Sequence, residues 1–197
     1  FIVACSIFLI GCGDTKKASE TVDNFFSDYK NMNLQKANEY VEGGGLLEKS
    51  IKAFEDYDSA RKSALNYWGG KMNYKILSTK KENGEYVVKT EVTALSGVDI
   101  YNHYMNNVSS LDFGEKILNN DVLNGENING DLDNAFITAL ENQTIPLKTT
   151  TVDVIVKDDN GKFKIQNDKE VLTAILGGLD PSEITCLLYT SPSPRDA

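Results

Sequence analysis

Val152-Asp153-Val154-Ile155-Val156-Lys157-Asp158-Asp159-Asn160-Gly161-Lys162-Phe163-Lys164-Ile165 decides how this chain folds. Val152, Val154 and Val156 alternate with Asp153, Ile155 and Lys157, which is the period of a strand with two different faces. Asp158-Asp159-Asn160-Gly161 turns the chain, and Phe163 and Ile165 then alternate with Lys162 and Lys164. The stretch predicts an antiparallel hairpin with one apolar face. A lone hairpin is unstable in water, so other elements must cover that face.

The same pattern occurs upstream. Met72, Tyr74 and Ile76 alternate with Asn73 and Lys75 before the turn Glu82-Asn83-Gly84. Asn-Gly suits the positive φ angles of a type I′ turn. Tyr86, Val88, Thr90 and Val92 then make one strand face, and Lys89, Glu91 and Thr93 the other. Helical spacing surrounds the hairpins. Val22, Phe25, Phe26 and Tyr29 form an apolar stripe, Asn31-Met32-Asn33 interrupts it, and Leu34, Ala37 and Val41 resume it up to Gly43-Gly44-Gly45. Leu47, Ile51 and Phe54 continue it, as do Ala60, Ala64, Leu65 and Trp68 before Gly69-Gly70, which is expected to end the run. Between the hairpins, 97–142 reads as a mostly helical insertion. Ile100, Tyr104, Val108 and Leu111 form one stripe, Asn119 to Gly130 a polar loop, and Leu132, Ala135, Phe136, Ala139 and Leu140 a second stripe. Val171, Leu172, Ile175 and Leu176 make a closing helix, capped by Asn167 or Asp168 and stopped by Gly177-Gly178. The class is α+β, with N-terminal helices packed on a curved antiparallel sheet.

The ends carry a different message. Phe1 to Ile10 is apolar, Gly11-Cys12 follows, and Gly13-Asp14-Thr15-Lys16-Lys17 is polar. Leu9-Ile10-Gly11-Cys12 resembles the lipobox of bacterial lipoprotein signal peptides. That resemblance implies cleavage between Gly11 and Cys12, and a diacylglyceryl group with acyl chains such as palmitate on Cys12. On this reading 1–11 is a partial signal peptide, 12–19 a tether, 20–179 the domain, and 180–185 the start of a further segment with Asp180 capping a helix at Pro181. Cys186 to Asp196 resembles the in-frame translation of a sequencing-library adapter, so 186–197 is expected to be a non-native tail. The protein is then expected outside the cytoplasm, held to the cell membrane by lipid.

A family resemblance agrees with this. Thr21-Val-Asp-Asn-Phe-Phe-Ser-Asp-Tyr-Lys30 and Leu34-Gln-Lys-Ala-Asn-Glu-Tyr-Val41 resemble the opening helices of NTF2-like lipoproteins, and Val154 to Ile165 is similar to their closing strand pair, with Phe163 where Trp is commoner. The resemblance implies an NTF2-like cone, enlarged here by the insertion. It carries over no catalytic residues.

Composition narrows the function. The formal charge of −9 disfavours nucleic acid and anionic lipid as partners of the surface. Of three cysteines only Cys12 lies in the mature natural part, so no disulfide framework and no cysteine metal site is expected, as in many secreted Gram-positive proteins. His103 is the only histidine. It lies off its helix stripe, with Asp99 at i−4 as the one obvious partner for acid–base work, and is read as solvated. Asp121, Glu126, Asp131 and Asp133 do not follow the EF-hand spacing and are read as a solvated acidic loop rather than a Ca²⁺ site. No catalytic residue, metal or further cofactor is expected. Tyr40, Tyr67, Trp68, Tyr74 and Tyr86, with Tyr57, are expected near the concave sheet face. They either pack the core or line a pocket for a small apolar ligand. The expected function is therefore an anchored binding or interaction domain without catalysis, whose partner is a small apolar ligand or an envelope protein. The alternatives are a small NTF2-like isomerase or dehydratase and a structural cell-envelope factor.

Overall fold

Residues 13–44, 51, 55, 59–111 and 128–182 are described by a computed structural model. Among them are six α-helices and one four-stranded antiparallel sheet, so the class is α+β. The order is α1 (Gly13–Lys30), α2 (Leu34–Glu39), a 3-10 turn (Glu42–Gly44), α3 (Ser59–Lys71), β1 (Asn73–Glu82) and β2 (Glu85–Leu95). Then come α4 (Gly97–Ser109), α5 (Ile128–Leu140), β3 (Leu147–Asp159), β4 (Lys162–Ile165) and α6 (Lys169–Ile175).

The strands lie in the order β1-β2-β3-β4. The central pair joins the two hairpins, with Tyr86 opposite Val156, Val88 opposite Val154 and Thr90 opposite Val152. This register places the alternating apolar sets of both hairpins on one face. The first turn has the expected positive φ angles, with Asn83 and Gly84 at φ 50° and 90°, and the second adopts them too, with Asn160 and Gly161 at φ 54° and 85°. Beyond β4 the edge is closed by Val41, bridged in parallel to Ile165, whose N–H donates to the Tyr40 carbonyl at 2.7 Å.

Two apolar cores result. The first lies over the sheet face and unites Val22, Phe25 and Phe26 of α1 with Val88, Val92, Val154 and Val156, closed by Val171, Ala174 and Ile175 of α6. The second gathers Ala64 and Leu65 of α3, Ile100 and Tyr104 of α4, and Ala135, Ala139 and Leu140 of α5 around Leu95 and Ile145. The helices of the insertion therefore pack with α3 around a second core. The other sheet face is mostly polar, with Lys89 opposite Asp153 and the hydroxyls of Thr93 and Thr149 2.8 Å apart, and Val87 opposite Ile155 as an apolar pair.

Four details depart from the sequence reading. The stretch 13–19, read as tether, is the first two turns of α1. Ala18 is fully buried and extends the stripe of Val22, Phe25 and Phe26 by one turn. Gly69-Gly70 does not end α3, which runs on to Lys71. Gly69 is buried, and the Met32 side chain occupies the space its missing Cβ leaves. In α5 the helix starts at Ile128, so 128–130 is not loop. In β1 the register shifts between Ile76 and Ser78, leaving Leu77 partly exposed. The stretches around Leu47 and Phe54, and Asn119 to 127, lie outside the described residues.

Candidate functional site

Cys12 and Gly11 lie outside the described residues, which begin one residue later. From Gly13 the chain is helical, and its first turns carry the pairs Lys17–Asp14 at 3.3 Å and Lys16–Glu20 at 3.5 Å. These are exposed pairs that contribute little to stability. Docking of this end comes from Ala18 and from Lys17, whose Nζ lies 5.5 Å from the centre of the Phe163 ring. From Gly13 on, the chain is therefore a helix docked on the body of the domain.

The inward sheet face is filled by side chains of the protein itself. Tyr86 is buried with its ring 5.5 Å from that of Phe163, and Phe25 meets Phe26 edge to face at 5.1 Å. Thr90, in the middle of that face, donates its hydroxyl to the Val88 carbonyl of its own strand at 3.2 Å. Among the described residues, the buried polar side chains are Thr21, Thr90 and Ser96. Ser96 caps α4, accepting from the Asp99 N–H at 3.3 Å.

The five aromatics proposed to line a pocket are not brought to one place. Tyr40, Tyr74 and Tyr86 pack with the first core and Trp68 with the second. Tyr67 is exposed on α3, with Lys71 Nζ 4.9 Å from its ring centre. Tyr74 is a clasp between sheet and helix. Its ring stacks on Phe26 at 5.1 Å, and its hydroxyl donates to the backbone oxygen of Asp23 at 3.0 Å and to Oδ1 at 2.9 Å. Desolvation first, and then the Asp23 carboxylate, push the Tyr74 phenol well above its ordinary value. Tyr57 lies outside the described residues.

His103 is half-buried, and its partner is Asn142 rather than Asp99. Asn142 Oδ1 accepts from the Thr144 N–H at 2.9 Å and from its hydroxyl at 2.7 Å. The amide nitrogen is left to donate to His103 Nδ1 at 3.4 Å. The pair thus ties α4 to the segment entering β3. Asp133 forms an ion pair with Arg61, joining α5 to α3. Asp121 and Glu126 lie outside the described residues, and among those described no three His, Cys, Asp or Glu side chains gather as a metal site. No helix among the described residues is long and apolar enough to cross a membrane.

The sequence reading missed the outer side of α4. Val98 and Met105, one heptad apart, are 40% and 43% exposed, and Leu147 at the start of β3 is 58% exposed. Their i, i+7 spacing was visible, but the inward stripe of Ile100 and Tyr104 absorbed the helix. Comparison with protein-family models, curated proteins and solved structures finds no match to this chain.

Proposed function

We propose that this chain is a lipid-anchored, extracytoplasmic binding or interaction domain without catalytic activity, built as an enlarged NTF2-like cone. The observation that carries the proposal is Leu9-Ile10-Gly11-Cys12 between an apolar run and a polar helix. Cleavage before Cys12 and lipidation of its sulfur explain the small residue, the cysteine and the abrupt change of polarity together. Two or three acyl chains hold a protein at a membrane stably, whereas one does so only marginally. The anchor would keep the domain at the membrane, where its surface meets an envelope protein or a small apolar ligand.

A structural role in the envelope is the second reading. The filled sheet face favours it, because side chains such as Tyr86, Phe25 and Phe26 already occupy the space a ligand would need. The test of the anchor is metabolic labelling of cells expressing the full gene with an alkyne fatty-acid analogue. The expected result is a labelled band that disappears in Cys12→Ala. Equal labelling of the two proteins, or none in either, would sink the anchor.

A further inference from the structure

We infer that the domain sits directly on the bilayer, with its two hairpin turns against the lipid headgroups, instead of hanging from a tether. This rests on lipidation of Cys12. The direction of α1 sets this pose. Near its start, Lys17 reaches Phe163 of β4, just beyond the Asn160-Gly161 turn. Further along, Asp23 and Phe26 meet Tyr74 at the start of β1. The helix therefore runs from the turn-bearing end of the sheet towards its opposite end, and the Asn83-Gly84 and Asn160-Gly161 turns flank its N-terminus.

Length makes the seating necessary. Ala18 is fully buried, and a helix from Gly13 to Ala18 advances only about 8 Å at ~1.5 Å per residue. The same stretch as a flexible tether would reach about 18 Å at ~3.5 Å per residue. The headgroup layer on each side of a bilayer is roughly 5–8 Å thick. With acyl chains on Cys12 in the hydrocarbon, the turns flanking Gly13 are carried to that layer.

The charge distribution suits the same pose. Residues 13–17, 81–86 and 157–162 hold five lysines and five carboxylates, whereas the chain as a whole carries −9. The end beside Cys12 is thus balanced, and the excess negative charge lies elsewhere. An anionic membrane attracts lysines by about 1 kcal/mol each near its surface and repels carboxylates. The balanced end meets such a surface without net repulsion, and the acidic remainder is held away from it.

The test uses the lipidated protein, expressed behind a lipoprotein signal peptide with Cys186→Ser, and reconstituted in phosphatidylcholine–phosphatidylglycerol vesicles that carry a headgroup quencher. A single fluorophore is attached in Asp159→Cys at a turn, in Lys162→Cys as a second turn site, or in Leu147→Cys. Leu147 lies at the far end of β3, roughly 40 Å away at ~3.3 Å per residue. Quenching several-fold stronger at 159 and 162 than at 147 is expected. Equal quenching at all three sites on vesicle-bound protein would overturn the seating and leave the anchor standing. Protein that carries no acyl group and fails to enter the vesicles would overturn both.

Discussion

Tyr74 shows what a single side chain does in this fold. Its ring packs on Phe26 and its hydroxyl is held twice by Asp23, so it fastens α1 to the edge strand. Tyr74→Phe keeps the stacking and removes the hydroxyl, and is expected to cost about 1 kcal/mol in denaturant unfolding. The pH dependence has a definite sign. A phenol raised in the folded state binds its proton more tightly there than in the unfolded chain. Its contribution is present in full below the ordinary phenol value of about 10 and is lost as pH rises through that value towards the folded one. Melting temperatures from neutral pH into the alkaline range should fall less steeply in Tyr74→Phe than in the parent. Asn142 is a second such residue. Asn142→Ala removes its bonds to Thr144 and His103, and is expected to lower stability by about 1–2 kcal/mol in the same assay. Tyr74 was legible as a strand residue of the inward face, but not as a clasp, because Asp23 lies 51 residues away. The partner of His103 was hidden for the same reason, since Asn142 lies 39 residues further on, at the end of the insertion.

Among the elements, the hairpins were the most legible, because alternation and Asn-Gly act over neighbouring residues. Asn160 and Gly161 both adopt positive φ. Replacing the pair by Ala-Ala is expected to cost about 1–2 kcal/mol per strained residue, measured by thermal unfolding. Helix ends were less legible. Gly69-Gly70 reads locally as a stop, yet Met32 packs where a side chain at 69 would stand and the helix continues. The start of α1 was misread because Ala18 is small and follows a polar run. Its burial depends on the sheet beneath it, which local spacing does not reveal. The register shift in β1 left no mark in the alternation of Tyr74 and Ile76.

At the scale of the whole molecule, two cores meet through a close glycine contact. A Cβ on Gly177 would run into the Leu95 carbonyl and the Gly97 nitrogen, and one on Gly97 would run into the Leu176 carbonyl. Gly177 also has φ 58°, so Gly177→Ala combines backbone strain with a clash against backbone that cannot move aside. It is expected to destabilise more than Leu140→Ala in the second core, itself worth about 2–5 kcal/mol, in a denaturant titration of both. That β2 pairs with β3 across the insertion was not legible, since closure over so long a segment leaves no local trace. The α+β class was legible, because period-two and helical stretches alternate along the chain. The proposal at Cys12 rests on its sequence flanks alone, and a docked helix begins at the next residue, Gly13. The most direct measurement of the proposed anchor is the mass of the N-terminal peptide of the protein extracted from membranes. A peptide that begins at Cys12 and carries diacylglyceryl on the sulfur is expected. A peptide that runs through Gly11 into an unmodified Cys12 would contradict it.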